Sequence, residues 1–150
     1  MTYSRFAAMI TTSTLIMFAF MYLNTYAMDH VFFSETRAYM SLLMGATMAV
    51  VMLLFMWKHY DNTKANIGIL AGSVLIFASS LWLVRSQTTV ADVSWMKAMI
   101  PHHSIAILTS ERANITDPRV KELAEGIIAT QRKEIDEMKQ LIADLEAKQP

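Results

Sequence analysis

The chain has 150 residues, of which 54% are hydrophobic and only 17% charged, with 13 basic side chains balancing 13 acidic ones. A soluble domain of this size carries about a quarter charged residues, so much of this surface is suited to lipid. No basic excess is present to neutralise phosphates, which argues against a nucleic-acid binder. The lack of cysteine excludes disulfides, thiolate metal sites and thiol nucleophiles.

Charge is unevenly spread. Residues 1–85 hold five basic and three acidic side chains, and residues 86–150 hold eight and ten. Two domains follow: a three-helix transmembrane domain over 1–85 and a helical-hairpin metal-binding domain over 86–150. Three uncharged runs, residues 6–28, 38–57 and 65–84, each have the roughly 20 residues needed to cross ~30 Å of hydrocarbon. Tyr3, Tyr22, Tyr26, Tyr39, Trp57, Tyr60 and Trp82 lie toward their ends, as aromatic belts do. The first run follows Arg5 as a signal peptide would, but it is too long and lacks a small-x-small cleavage site, so a retained helix is expected. Arg5, Lys58 and Lys64 favour an inside N-terminus and second loop, against the opposing Arg85. The first loop and the C-terminal half then lie outside. In a bacterium that makes a multi-pass inner-membrane protein with a periplasmic C-terminal domain.

In the polar half, Thr89 with Asp92 three residues on resembles a capping box, and Val93, Met96, Met99, Ile100, Ala106 and Ile107 recur at helical spacing. Asp117-Pro118 restarts a helix, an N-cap followed by proline at the first position. Val120, Ala124, Ile127, Ile128, Ile135, Met138, Ile142 and Leu145 form its apolar stripe. The short connection makes the helices antiparallel neighbours. Two helices cannot enclose a core alone, so the hairpins are expected to assemble as a homo-oligomer. The fold class is therefore all-α: three transmembrane helices, then an antiparallel helical hairpin.

The informative segment is residues 96–103, Met-Lys-Ala-Met-Ile-Pro-His-His. At about 100° per residue, Met96, Met99, His102 and His103 share one face. On the second helix Gln131 and Glu134 interrupt the stripe that holds Met138. Buried polar groups without partners cost a few kcal/mol each, so these should have something to bind. A turn centred near residues 115 and 116 sets His103 opposite residue 128 and Met99 opposite 132. It brings Met96, Met99, His102, His103, Gln131, Glu134 and Met138 to one level. Pro101 cannot bond to the Lys97 carbonyl and should kink the helix there. Thioether plus imidazole without thiolate favours Cu(I), with zinc or iron as other candidates. The plainer reading makes the methionines core filler and the histidines ordinary hydrogen-bonded residues.

These residues, together with Ala106-Ile107, Asp117, Val120, Leu123-Ala124, Ile127-Ile128 and Glu134-Ile135, resemble the bacterial family catalogued as domain of unknown function 305, over residues 90–145. The resemblance implies a ferritin-like helical fold, often exported or membrane-anchored, with some members linked to copper binding and copper tolerance. It maps the family's histidine pair onto His102 and His103, and its second-helix motif onto Gln131, Glu134 and Met138. Leu141 departs from the tryptophan the family often has.

Met40, Met44, Met48, Met52 and Met56 recur every fourth residue in the second run, and Gly68 and Gly72 form a GxxxG in the third. Three spans with Met-x-x-x-Met and GxxxG also resemble the eukaryotic copper permeases, although the inferred orientation is opposite. The main expectation is a membrane-anchored periplasmic protein that binds copper for capture, tolerance or trafficking. The alternative is an oligomeric Cu(I) transporter with a path along Met40, Met44, Met48 and Met52, against methionine as simple packing. No Ser-His-Asp set, phosphate loop or paired Glu-x-x-His is present, so no enzyme is expected. The expected partners are the bilayer, a metal ion and further copies of the chain.

Overall fold

A computed structural model describes residues 2–148. Among the described residues it is all-α, with five α-helices and no strand: α1 (Tyr3–Phe20), α2 (Glu35–Phe55), α3 (Thr63–Ser86), α4 (Asp92–Arg112) and α5 (Pro118–Ala147). Side-chain caps set three of the starts. The Thr2 hydroxyl accepts from Arg5 N–H, Asn62 Oδ1 from Ala65 N–H, and Asp117 Oδ1 from Arg119 N–H. Gln87 ends α3 in the left-handed region, at φ 54°. The expected Thr89 cap does not form. Ala91 occupies the N-cap of α4 without a side-chain bond, and the Thr89 hydroxyl lies 2.8 Å from that of Tyr39.

Two helices, α2 and α3, are long and apolar enough to cross a membrane; the expectation of three is corrected to two. The physical reason lies in the first run. Its helix stops at Phe20, giving about 27 Å of length at 1.5 Å per residue, and Ser4, Thr11, Thr12, Ser13 and Thr14 lower its hydropathy. The remainder of the run, from Tyr22, leaves the helix and folds elsewhere.

The chain divides into two compact units. The first comprises the residues through Met21 and Thr36–Thr89. In it Phe6, Ala49, Leu53 and Tyr60 form a core, with Ile69 and Leu70 packed against them. Asn66 is buried in this unit, and its hydrogen bonds are made: it accepts from Tyr3 Oη at 2.8 Å and donates to the Tyr60 carbonyl at 3.3 Å. A Cβ at Gly45 would collide with the Thr14 side chain, so glycine permits this close approach of α1 and α2.

The second unit joins Tyr22–Glu35 to the residues from Val90 onward. Here α4 and α5 run antiparallel around Met96, Ile100, Ile107, Ile135, Met138 and Ile142. The segment Tyr22–Glu35 is a strap on this hairpin rather than a solvated connection. Phe32 packs against the core. The Tyr26 N–H donates to Ser104 Oγ at 2.7 Å, and His30 Nδ1 lies 2.9 Å from the same oxygen. Lys139 Nζ reaches Asp29 at 2.6 Å, and Ser94 Oγ donates to Glu35 at 2.7 Å. Arg132 stacks over the Tyr26 ring at 5.4 Å.

The hairpin register differs from the expected one. His103 meets Glu134, Arg132 pairs with Glu111, and Lys97 pairs with Glu146. Each α5 partner lies at least six residues later than a turn centred on 115 and 116 would place it. The reason is the connection. Ala113 and Asp117 are extended, and an extended residue advances about twice as far as a helical one. The linker therefore climbs, and the first turns of α5 stand beyond the end of α4, with Val120 and Leu123 exposed.

Because Phe32 supplies apolar contact that two helices lack, Phe32→Ala should destabilise this unit by about 2 kcal/mol. Denaturant unfolding in detergent, followed by helix content, would show a lowered midpoint; an unchanged midpoint would contradict the strap's role.

Candidate metal centre

The α4 helix continues through Pro101, which is buried and leaves the Lys97 carbonyl without its usual helical donor. Two positions on, the His103 side chain is 13% exposed, and its Nε2 lies 2.8 Å from Glu134 Oε2 on α5. The other ring nitrogen, Nδ1, is buried and has no hydrogen-bond partner; among the described residues it is the one buried side-chain nitrogen or oxygen in that state. A proton on Nδ1 would be a buried donor with no acceptor, at a cost of about 1–3 kcal/mol. The economical tautomer carries its proton on Nε2, donated to the carboxylate. That leaves an Nδ1 lone pair facing the interior.

The hairpin core contains methionines. Met96 and Met138 are buried in the hairpin core, and Met99 packs against it. Met99 is four residues before His103 and Met138 four after Glu134, the spacing at which helical side chains are neighbours. The structure thus joins His103 to Glu134 and puts Met99 and Met138 one helical turn from them, whereas Met96 lies farther along the core, next to the Lys97–Glu146 pair. It does not draw in the other two expected residues. His102 is exposed, its ring centroid 6.3 Å from that of His103. Gln131 lines an open depression with Arg119, Leu123 and Ile127. Among the described residues no three His, Asp or Glu side chains converge in a way that could hold a metal, so any such site here depends on thioether donors.

The membrane-type methionines divide by environment. Met40 and Met44 are exposed, Met48 is half-buried, and Met52 and Met56 pack against the core of the first unit. A four-residue step advances about 40° around the helix, which turns successive rungs away from any single path.

His30 lies in the strap, where its Nδ1 meets Ser104 and burial pushes the imidazole below its ordinary value. The signal for the strap was present in Phe32-Phe33 and Tyr26, too many aromatics for a short solvated loop.

The model of a family described as domain of unknown function (DUF305) matches residues 81–147. An uncharacterized protein, L153, of Acanthamoeba polyphaga mimivirus is 38% identical over 106 residues, covering 69% of this chain and 68% of that protein. The chain belongs to the DUF305 family. Likeness to L153 runs longer than the family match, so part of it lies outside the hairpin, and a similar protein occurs in a virus. No solved structure matches. The DUF305 match covers α4, α5 and the end of α3, but not the strap that completes the hairpin's core.

The strap also sets a pH response. Because burial lowers the His30 value in the folded unit, the unfolded chain takes up the proton first as pH falls. Stability is full above about pH 6.5 and declines below it. The Lys139 hydrogen bond holds the exposed Asp29 carboxyl below its ordinary value, so its contribution persists until about pH 4. The melting temperature of the hairpin unit should drop between pH 7 and 5. His30→Asn should flatten that slope, and an unflattened slope would refute the assignment.

Proposed function

We propose that this chain is a membrane-anchored metal-binding protein that captures Cu(I) at the hairpin, through His103 and the thioethers around it, in copper tolerance or trafficking. The observation that carries this reading is the buried His103 Nδ1 without a hydrogen-bond partner, on a hairpin whose core holds Met96 and Met138 with Met99 packed against it. A ligating histidine commonly donates its other ring N–H to a carboxylate, which fixes the tautomer and raises the basicity of the ligating nitrogen. The His103–Glu134 contact has that form. Imidazole and thioether donors without thiolate suit Cu(I). Zinc and iron prefer nitrogen and oxygen sets, and no such cluster is present among the described residues.

The protein's own residues divide the work. His103 offers nitrogen, Met99 is the nearest sulfur by helical position, and Met96 and Met138 supply a polarizable wall that excludes water. Glu134 orients the imidazole from outside. Two helices able to cross a membrane support anchoring at a bilayer, with the hairpin on the outer, periplasmic side of a bacterial inner membrane. The divided methionine ladder gives no observation in favour of conduction.

The purified full chain in detergent should compete with a chromogenic Cu(I) chelator. His103→Ala should weaken binding at least 100-fold and Glu134→Gln about 10- to 100-fold. Wild type and His103→Ala competing equally would end this reading.

A further inference from the structure

Two hydrogen bonds from the strap end on one buried atom. Ser104 Oγ lies 2.7 Å from the Tyr26 N–H and 2.9 Å from His30 Nδ1, and Ser104 is fully buried. A backbone amide can only donate, so Oγ accepts from Tyr26. Thr109, farther along α4, gives its hydroxyl proton to carbonyls of its own helix. Among the described residues the Ser104 hydroxyl has partners on the strap alone. Its proton therefore goes to His30 Nδ1, and the docked ring is neutral with its bare nitrogen toward Ser104. Nε2 then carries the ring proton, 4.0 Å from Asp29 Oδ2 and beyond hydrogen-bond reach. The chain of bonds from Tyr26 through Ser104 to His30 has one direction, and a proton added at Nδ1 reverses its last link.

We propose that this contact is a proton-operated latch: in mild acid His30 takes up a proton and residues 26–30 of the strap leave the hairpin, which itself stays folded. The release uncovers Ile107 and Ile135, each 1% exposed when the strap is docked. It does not depend on the Cu(I) reading. An imidazolium donates from Nδ1 instead of accepting there, so the buried Ser104 proton is left without an acceptor, which is destabilising. The surrounding charges do not compensate. On the strap, Asp29 already holds Lys139 of α5 at 2.6 Å. On α5, Arg132 and Lys139 oppose a further positive charge and Asp136 favours it, and the α4 carboxylate of Glu111 is paired with Arg132. Burial and then Lys139 hold the imidazole below its ordinary value, against Asp29 and Asp136. The stretch has room to move, because a cavity of about 230 Å³ lies beside the His30 ring, between Tyr26 and Ala27 on the strap and Ile107 and Ile135 on the hairpin. Phe32 and the Ser94–Glu35 bond keep the far end of the strap in place, which confines the opening. Loss of stability in acid would by itself spread over the whole unit; the latch localises it.

Amide hydrogen exchange of the full chain in detergent, corrected for the intrinsic rate at each pH, reads the opening directly. A freed imidazole titrates near 6.5, so with the docked ring kept neutral the opening equilibrium grows about tenfold from pH 7.5 to pH 5.5. Protection of residues 26–30 should fall by about that factor, while the amides of α4 and α5 around Ile107 and Ile135 keep theirs. His30→Asn offers an amide oxygen to Ser104 and cannot titrate, so its strap should stay docked at both pH values. Ser104→Ala should leave the strap equally open at both. Protection lost equally by strap and hairpin would be general acid unfolding and would overturn the latch. A strap that ignores pH, or a His30→Asn chain that keeps the wild-type pH dependence, would do the same. The 15N spectrum of the wild-type His30 ring at pH 7.5 serves even where a variant fails to fold: the latch requires the proton on Nε2, and a ring protonated on Nδ1 contradicts it.

Discussion

The 2.8 Å contact between His103 Nε2 and Glu134 Oε2 ties α4 to α5 alongside a core that includes Met96 and Met138. It also decides which end of the imidazole remains. With Nε2 committed to the carboxylate, Nδ1 is left buried without a partner. A polar atom in that state is destabilising unless something else meets it. Apart from Ser104, the buried side chains of the hairpin are apolar and include thioethers, which suit a soft cation as a neighbour. The proposal of a soft cation rests on this constraint rather than on the number of methionines.

The surroundings are consistent with a unit built to hold that arrangement still. The strap Tyr22–Glu35 binds one side of the hairpin through Phe32, the Ser104 hydroxyl and the Lys139–Asp29 pair. A two-helix hairpin exposes too much of its stripe to be rigid alone. A third segment, drawn from the loop between α1 and α2, supplies the missing contacts. The surface ion pairs are worth little individually; the apolar contact of Phe32 and the doubly used Ser104 oxygen do more to fix the strap.

Much of this was legible in the residues. Asp117-Pro118 marked the start of α5, and the 3.6-residue period gave both hairpin helices. That Met96, Met99 and His103 share a face of α4, and Glu134 and Met138 a face of α5, follows from spacing, because helical geometry fixes which side chains share a face. The errors arose where non-local contacts decide. The first apolar run counted Tyr22 to Met28 as membrane helix, whereas those residues gain more by docking on a hairpin some 80 positions away, a pairing no local pattern encodes. The hairpin register was misjudged because the rise of a linker whose ends, Ala113 and Asp117, are extended depends on backbone angles that the sequence of residues 113–117 does not specify. Gln131 and His102 were assigned by face, and a face alone does not say whether a side chain turns inward.

The most direct measurement is of the His103 ring itself. In full-length protein with 15N-labelled histidine, the metal-free spectrum should show the tautomer protonated on Nε2. Adding Cu(I), or Ag(I) as a diamagnetic stand-in, should shift Nδ1 while Nε2 keeps its proton. A metal-free ring protonated on Nδ1, or a ring whose nitrogens both ignore the added ion, would contradict the account.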